Sequence, residues 1–239
     1  EIQEPVPENI TQDPQPEPAP IEGDVPRETI TNDRPENVPE KFWNAETGEI
    51  RTDELLKSNE HLEKFVGGKK DELRDEIIDE LQKNKIVGVA SGKAEFGPRA
   101  LGNRSLLADP RGPEIKDKVN EIKRRQKFRP FAPMILEEHV HEYFEMPAML
   151  QTSPYMQVVA KCKKPNDFPA IVHIDGTSRV QTVHKDFPSG CRELLEKWYV
   201  LTGCPILLNT SLNIRGEPMV NDRVDADRFE KAYGVKVCS

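Results

Sequence analysis

The chain has 239 residues, 42 acidic against 34 basic, and a formal net charge of −8 at pH 7. That length allows one large or two small domains, and four scattered cysteines without a CxxC pair argue against a disulfide framework or a zinc ribbon. The acidity is a poor guide to ligands: the first forty residues hold eleven acids and two arginines, Arg27 and Arg34, and subtracting their −9 leaves the rest of the chain at +1.

Residues 1–40 also contain nine prolines and no leucine, methionine or aromatic residue. Such a segment cannot bury enough surface to offset the entropy of ordering, and it is expected to be a disordered, acidic, proline-rich tail. No stretch approaches about 18 apolar residues and no charged-then-apolar leader opens the sequence, so the expectation is a soluble cytoplasmic protein with no membrane partner. Over 41–70, Leu55, Leu56, Leu62 and Phe65 recur near helical spacing, with Thr52 or Asp53 as cap and Gly67 and Gly68 as the stop. The apolar face is narrow and suits a helix that packs on the following domain or a tethered docking helix. Short passages of this kind are similar to ones in tailed-phage structural and assembly proteins.

A folded domain is expected over 71–239. Leu73, Ile77, Ile78 and Leu81 mark a helix over 71–84, and Ile86, Val87, Gly88, Val89 and Ala90 a buried strand. A second helix is predicted over 113–125, followed by an extended, proline-fixed segment over 127–133 and a short helix over 137–144. Strands are predicted over 155–162, 170–174, 180–183 and 205–209, and helices over 190–202 and 224–233. This alternation argues for an α/β domain on a mixed, twisted sheet with flanking helices.

Three stretches carry candidate chemistry. In 91–111, SGKAEFGPRALGNRSLLADPR, glycines alternate with Lys93, Arg99, Arg104 and Arg111, and guanidinium groups suit bidentate capture of phosphate or carboxylate oxygens. A surface loop paired with acids elsewhere remains the alternative. Lys123, Arg124, Arg125, Lys127 and Arg129 form the most basic patch. Nucleic acid is one ligand for such a patch, but only Phe128 and Phe131 are there to stack bases and the domain is nearly neutral, which argues against a specific nucleic-acid partner. In LLNTSLNIRGEP, a buried strand delivers Asn209, Thr210, Ser211 and Asn213 in quick succession, the position of ligand groups in open α/β sheets. Asp175, Thr177, Ser178 and Arg179 follow His173 on a turn, and His173 is the favoured histidine donor. His139 and His141 read as a surface pair, so no metal site is expected. GxxxxGK[ST], GxGxxG and HExxH are all absent.

Five blocks in order, EFGPRALGNRSLLADPR, KFRPFAP, SPYM, PAIVHIDGTSRVQTV and LLNTSLNIRGEPMV, closely resemble the C-terminal domain of the O-carbamoyltransferase family, which includes nodulation-factor and antibiotic carbamoyltransferases. The resemblance covers about residues 72–235. It implies a YrdC-like α/β fold, with ATP, Mg²⁺ and carbamoyl phosphate as ligands and carbamoyl-adenylate as product. It also implies an actin-like half, absent from this sequence, that passes the carbamoyl group to a hydroxyl. Carried over by position, Lys123, Arg129 and Arg179 would be catalytic, and Arg99, Arg104, Ser211 and Asn213 would bind the nucleotide and carbamoyl groups. The chain would then be the activating half of a transferase, working with a separate actin-like partner. The other readings are a nucleotide- or RNA-binding YrdC-like module without turnover, and a phage-type assembly protein carrying this domain.

Overall fold

The computed structural model describes residues 34–239, and the chain divides into two units, Glu1–Asn59 and Glu60–Ser239. The expected tail therefore lies outside the described residues as far as position 33. In the first unit a turn closed by the Val38 N–H on the Pro35 carbonyl (3.0 Å) leads to a two-stranded ribbon. Its strands are β1 (Trp43–Asn44) and β2 (Glu49–Ile50), antiparallel, with Gly48 at φ +69 in the connecting turn.

Helix α1 runs Thr52–Asn84 without a break at Gly67 and Gly68, against the expected stop. Each glycine costs a helix interior about 1 kcal/mol relative to alanine. That is small beside the continuous run of helix formers on both sides and the burial of Ile77, Ile78 and Leu81 farther along. Among the described residues no helix is long and apolar enough to cross a membrane.

The second unit is built on one eight-stranded sheet. Its strands are β3 (Ile86–Ala90), β4 (Arg104–Ala108), β5 (Ala132–Leu136), β6 (Phe144–Glu145), β7 (Val158–Cys162), β8 (Thr177–Val183), β9 (Ile206–Ser211) and β10 (Val237–Cys238). They lie in the order β10-β3-β4-β9-β5-β8-β7-β6. Two contacts are parallel, β10 with β3 and β5 with β8, and the others are antiparallel. Strands β3 and β5 are buried on both sides and read as apolar runs, whereas β7 near the edge alternates buried and exposed residues.

Helices cover both faces, as the mixed α/β reading requires. On one face Val119 of α2 (Ile115–Ile122) and Phe229 of α5 (Arg223–Tyr233) pack with Leu106, Leu208 and Phe144. On the other, Ile77, Ile78 and Leu81 of α1 join Leu194, Leu195 and Trp198 of α4 (Cys191–Thr202) over Leu107, Met134 and Leu207. A short α3 (Val140–Tyr143) leads into β6. Gly88 in β3 is a close approach: a Cβ there would stand 2.9 Å from Val237 and 3.1 Å from Leu212.

Three expectations change. Residues 170–174 are not a strand; Ala170, Ile171 and Val172 are buried as an irregular segment, a case that a short apolar run cannot distinguish by pattern. The helix expected over 113–125 is the shorter α2. Strand β4 lies within the stretch read as an anion loop, where arginine and glycine masked an apolar run.

Because nothing lies within 4 Å of a Cβ built on Gly67 or Gly68, the double substitution Gly67→Ala, Gly68→Ala should raise stability by about 1–2 kcal/mol. Urea unfolding followed by far-ultraviolet circular dichroism measures this; a loss of stability would mean that the helix does not run through the pair.

Candidate functional site

The end of α2 shapes the site. The Arg124 N–H donates to the Glu121 carbonyl and the Arg125 N–H to the Asn120 carbonyl, both at 3.0 Å, with Arg124 at φ +50. This is the Schellman arrangement with arginine in the left-handed position usually taken by glycine. It stops the helix and sends the chain back across its own end. The buried Asn120 side chain then fixes the reversed segment: its Nδ2 donates to the carbonyls of Lys127 (3.1 Å) and Arg129 (2.9 Å), and its Oδ1 accepts from Arg125 Nε (2.6 Å).

Lys123, only 5% exposed, connects this turn to the end of β9. Its Nζ donates to the carbonyls of Ser211 (2.6 Å) and Asn213 (2.9 Å) and lies 3.1 Å from Asn213 Oδ1 and 3.4 Å from Ser211 Oγ. Ser211 Oγ donates to Asn213 Oδ1 at 2.7 Å. Burial, and after it the charge of Arg125, push the lysine amine down to about 7. The four oxygens act the other way, since each accepts best from an ammonium.

Two adjoining cavities open at these strand ends. The larger, about 1000 Å³, is lined by Arg99, Lys116, Arg125, Arg129 and Arg179, by Asn209, Thr210, Ser211 and His173, and by an apolar wall that includes Phe128, Phe131, Val172 and Ile174. The smaller, about 320 Å³, shares Arg125, Arg129 and Ser211 and adds Lys123, Asn213 and Arg215. Among the described residues no acidic side chain lines either cavity, and none of the four arginines of the larger one forms an ion pair. Burial chiefly, and neighbouring charge after it, lower the guanidinium groups: burial and then Arg129 push Arg125 down to about 10, and burial and then Arg99 lower Arg179. Arg125 keeps its place by lying over the Phe131 ring, 4.2 Å from the centroid.

Of the residues singled out from sequence, Arg99, Arg129, Arg179 and Ser211 meet in the larger cavity, and Lys123 and Asn213 in the smaller. Arg104 lines neither. It is 7% exposed, and its guanidinium donates to the carbonyls of Ser91 (2.8 Å), Gly92 (3.3 Å), Asn103 (2.9 Å) and Asn221 (2.9 Å), which ties the 91–103 loop to the chain before α5. Arg111 is held by Asp109, with Nε 2.9 Å from Oδ1 and the second nitrogen 2.9 Å from Oδ2. Asp175 makes a local turn, accepting from Thr177 N (2.9 Å) and Oγ1 (2.7 Å), and Ser178 Oγ donates to the Ile171 carbonyl. Sequence reasoning counted Arg125 only within the basic patch and left out Asn120 and Glu95. Glu95 Oε1 accepts from the backbone N–H groups of Leu101, Asn103 and Arg104 and so pins the loop that carries Arg99. A lone acid inside a basic, glycine-rich loop was the available signal.

Residues 78–238 match the family described as Carbamoyltransferase C-terminus. The chain belongs to this family. Nodulation protein NolNO of Sinorhizobium fredii is 39% identical over 196 residues, covering 80% of this chain and 28% of that protein. Nodulation protein NolO of Bradyrhizobium diazoefficiens is 38% identical over 198 residues, covering 80% of this chain and 35% of that one. This carbamoyltransferase C-terminal chain thus spans about a third of the length of these relatives. Among solved structures, full-length HypF in its phosphate- and nucleotide-bound form superposes with a TM-score of 0.51 at 20% identity, over 68% of this chain and 20% of that one. That likeness supports the YrdC-like fold.

An uncompensated cation cluster costs folding energy that an anion would return. Sulfate should therefore raise the melting temperature of the wild-type chain, and Arg179→Gln should melt no lower than wild type in low salt while losing most of the sulfate effect. A variant destabilised in low salt, with an undiminished response to sulfate, would show that Arg179 serves packing alone.

Proposed function

We propose that this carbamoyltransferase C-terminal domain binds Mg·ATP and carbamoyl phosphate and forms carbamoyl-adenylate. The observation that carries the reading is the larger cavity, where four guanidinium groups without a carboxylate face an apolar wall. Phosphates suit the first and a purine ring the second. The exposed Phe128 offers a face for stacking.

Water cleaves carbamoyl phosphate to carbamate and inorganic phosphate. A carbamate oxygen then bonds to the α-phosphorus of ATP as the bond to the bridging oxygen breaks and pyrophosphate leaves. Arg99, Arg125, Arg129 and Arg179 neutralise the charge that gathers on the phosphoryl oxygens, and Lys123 holds Ser211 and Asn213 in place at the end of β9. This is positioning and electrostatic stabilisation without a protein nucleophile. Among the described residues no three His, Cys, Asp or Glu side chains come together to hold a metal ion, and the lining has no carboxylate. The donor set does not fit a protein-held Mg²⁺; the ion enters on the phosphate oxygens as part of the substrate. Transfer to a hydroxyl acceptor falls to an actin-like portion that the residues of this sequence do not supply.

Isotope exchange between pyrophosphate and ATP tests the reading. Exchange should appear only with carbamoyl phosphate and Mg²⁺ present, and Arg129→Ala should lower it by about a hundredfold. Folded wild-type protein that binds ATP but shows no exchange would reduce the domain to a nucleotide-binding module.

A further inference from the structure

Gln181 stands in β8, is 0% exposed, and lines neither cavity. It pairs with Met134 of β5, and Asn209 of β9 pairs with Ala132 of the same strand. The two amides meet across β5, where Asn209 Nδ2 donates to Gln181 Oε1 at 2.8 Å. Each also reaches the loop that carries Arg99. Asn209 Nδ2 donates to the Ala100 carbonyl at 3.1 Å, and Gln181 Nε2 to the Leu101 carbonyl at 3.2 Å. These carbonyls fix the sense of both amides, since a flipped amide would set oxygen against oxygen.

The loop is thus held through both kinds of backbone group. Glu95 takes the N–H groups of Leu101, Asn103 and Arg104, and the two amides take the carbonyls of Ala100 and Leu101. Gly102, at φ +129, lies flush on the buried Cys191, where a Cβ would stand 1.7 Å from Sγ. Arg99 has little else to place it. Among the described residues its guanidinium has a single hydrogen bond, to the neighbouring Pro98 carbonyl at 3.3 Å, whereas Arg125 rests on the Phe131 ring. The desolvation cost of burying an amide in a sheet is only offset by its hydrogen bonds, and an apolar side chain would serve packing alone as well.

We infer that Gln181 is a positioning residue: by holding the Leu101 carbonyl it sets where Arg99 presents its guanidinium to the phosphates in the larger cavity. The inference rests on the phosphate reading above. Gln181 itself touches no substrate. Its loss displaces Arg99, and small displacements of a charged group from its reacting partner are expensive.

Calorimetric titration of the full chain with Mg·ATP, arranged as a double-mutant cycle, provides the test. Gln181→Met keeps the volume and removes both hydrogen bonds. The Leu101 carbonyl still accepts from Cys191 Sγ (3.4 Å) and the Asn209 amide keeps its bond to Ala100, so the variant should fold. It should weaken ATP binding by about tenfold alone, and by less than about twofold once Arg99→Ala is present. In an Arg179→Ala background, two residues along the same strand, the tenfold loss should persist. Gln181→Glu keeps the acceptor but donates to Leu101 only while protonated, so its affinity relative to wild type should fall as pH rises; a flat ratio overturns the inference. No loss in Gln181→Met, an equal loss with and without Arg99→Ala, or a loss that disappears with Arg179→Ala overturns it as well, and leaves the phosphate reading standing. Arg99→Ala binding ATP as wild type does, or folded wild type failing to bind ATP, sinks that reading and this inference together.

Discussion

The buried ammonium of Lys123 holds the reversed end of α2 against the end of β9, and the geometry of the cavities follows from that contact. One side chain answers the carbonyls of Ser211 and Asn213 where β9 has run past the last residue it pairs with in β5 while still paired with β4. It also sets the hydroxyl of Ser211 and the amide of Asn213 in one place. The chain just beyond Lys123 turns through Arg124 in a left-handed conformation, so that Arg125 and Arg129 face the same space. Helix end, strand end and basic loop are in this sense one structural unit. Asn120 completes it by closing hydrogen bonds on both sides of the turn.

Around that unit, charge is arranged against the interest of stability. Elsewhere on the domain the arginines are satisfied in ordinary ways: Arg192 donates to Glu138 and Glu196, at 2.6 Å and 2.7 Å, and Arg111 to Asp109. Glu138 responds by dropping to about 2, chiefly through the hydrogen bond from Arg192. Among the described residues the cavity arginines have no such partners, and two of them are shifted downward instead. A fold that pairs cations outside a pocket and leaves them unpaired inside it holds electrostatic free energy for an incoming anion. The sheet makes this tolerable, because β4, β5 and the first four residues of β9 are buried beneath the site.

Much of this was legible in the sequence where residues act through local pattern. The apolar runs of β3 and β9 and the helical spacing of α4 and α5 identify themselves, and the polar cluster from Asn209 to Asn213 announces a strand that ends in polar groups. What could not be read depends on contacts distant along the chain. Arg104 looked like an anion ligand because arginine in a glycine-rich loop often is one; only the fold brings the Asn221 carbonyl, 117 positions away, to its guanidinium. Arg125 was counted in a basic patch and not as a site residue, since nothing local reveals that Arg124 reverses the chain. Gly67 and Gly68 carry a weak helix-breaking signal that the rest of a 33-residue helix overrides. The bond from Gln181 to the Leu101 carbonyl, 80 positions away, is likewise visible only in the fold.

The cluster of Arg99, Arg125, Arg129 and Arg179 is the proposed seat of the nucleotide phosphates. A crystal structure of the chain with Mg²⁺ and α,β-methylene-ATP tests it most directly. The phosphate chain should lie among these four guanidinium groups and the purine against the wall of Phe128, Val172 and Ile174. A nucleotide bound with its phosphates elsewhere, and the four arginines still facing an anion-free cavity, would contradict it.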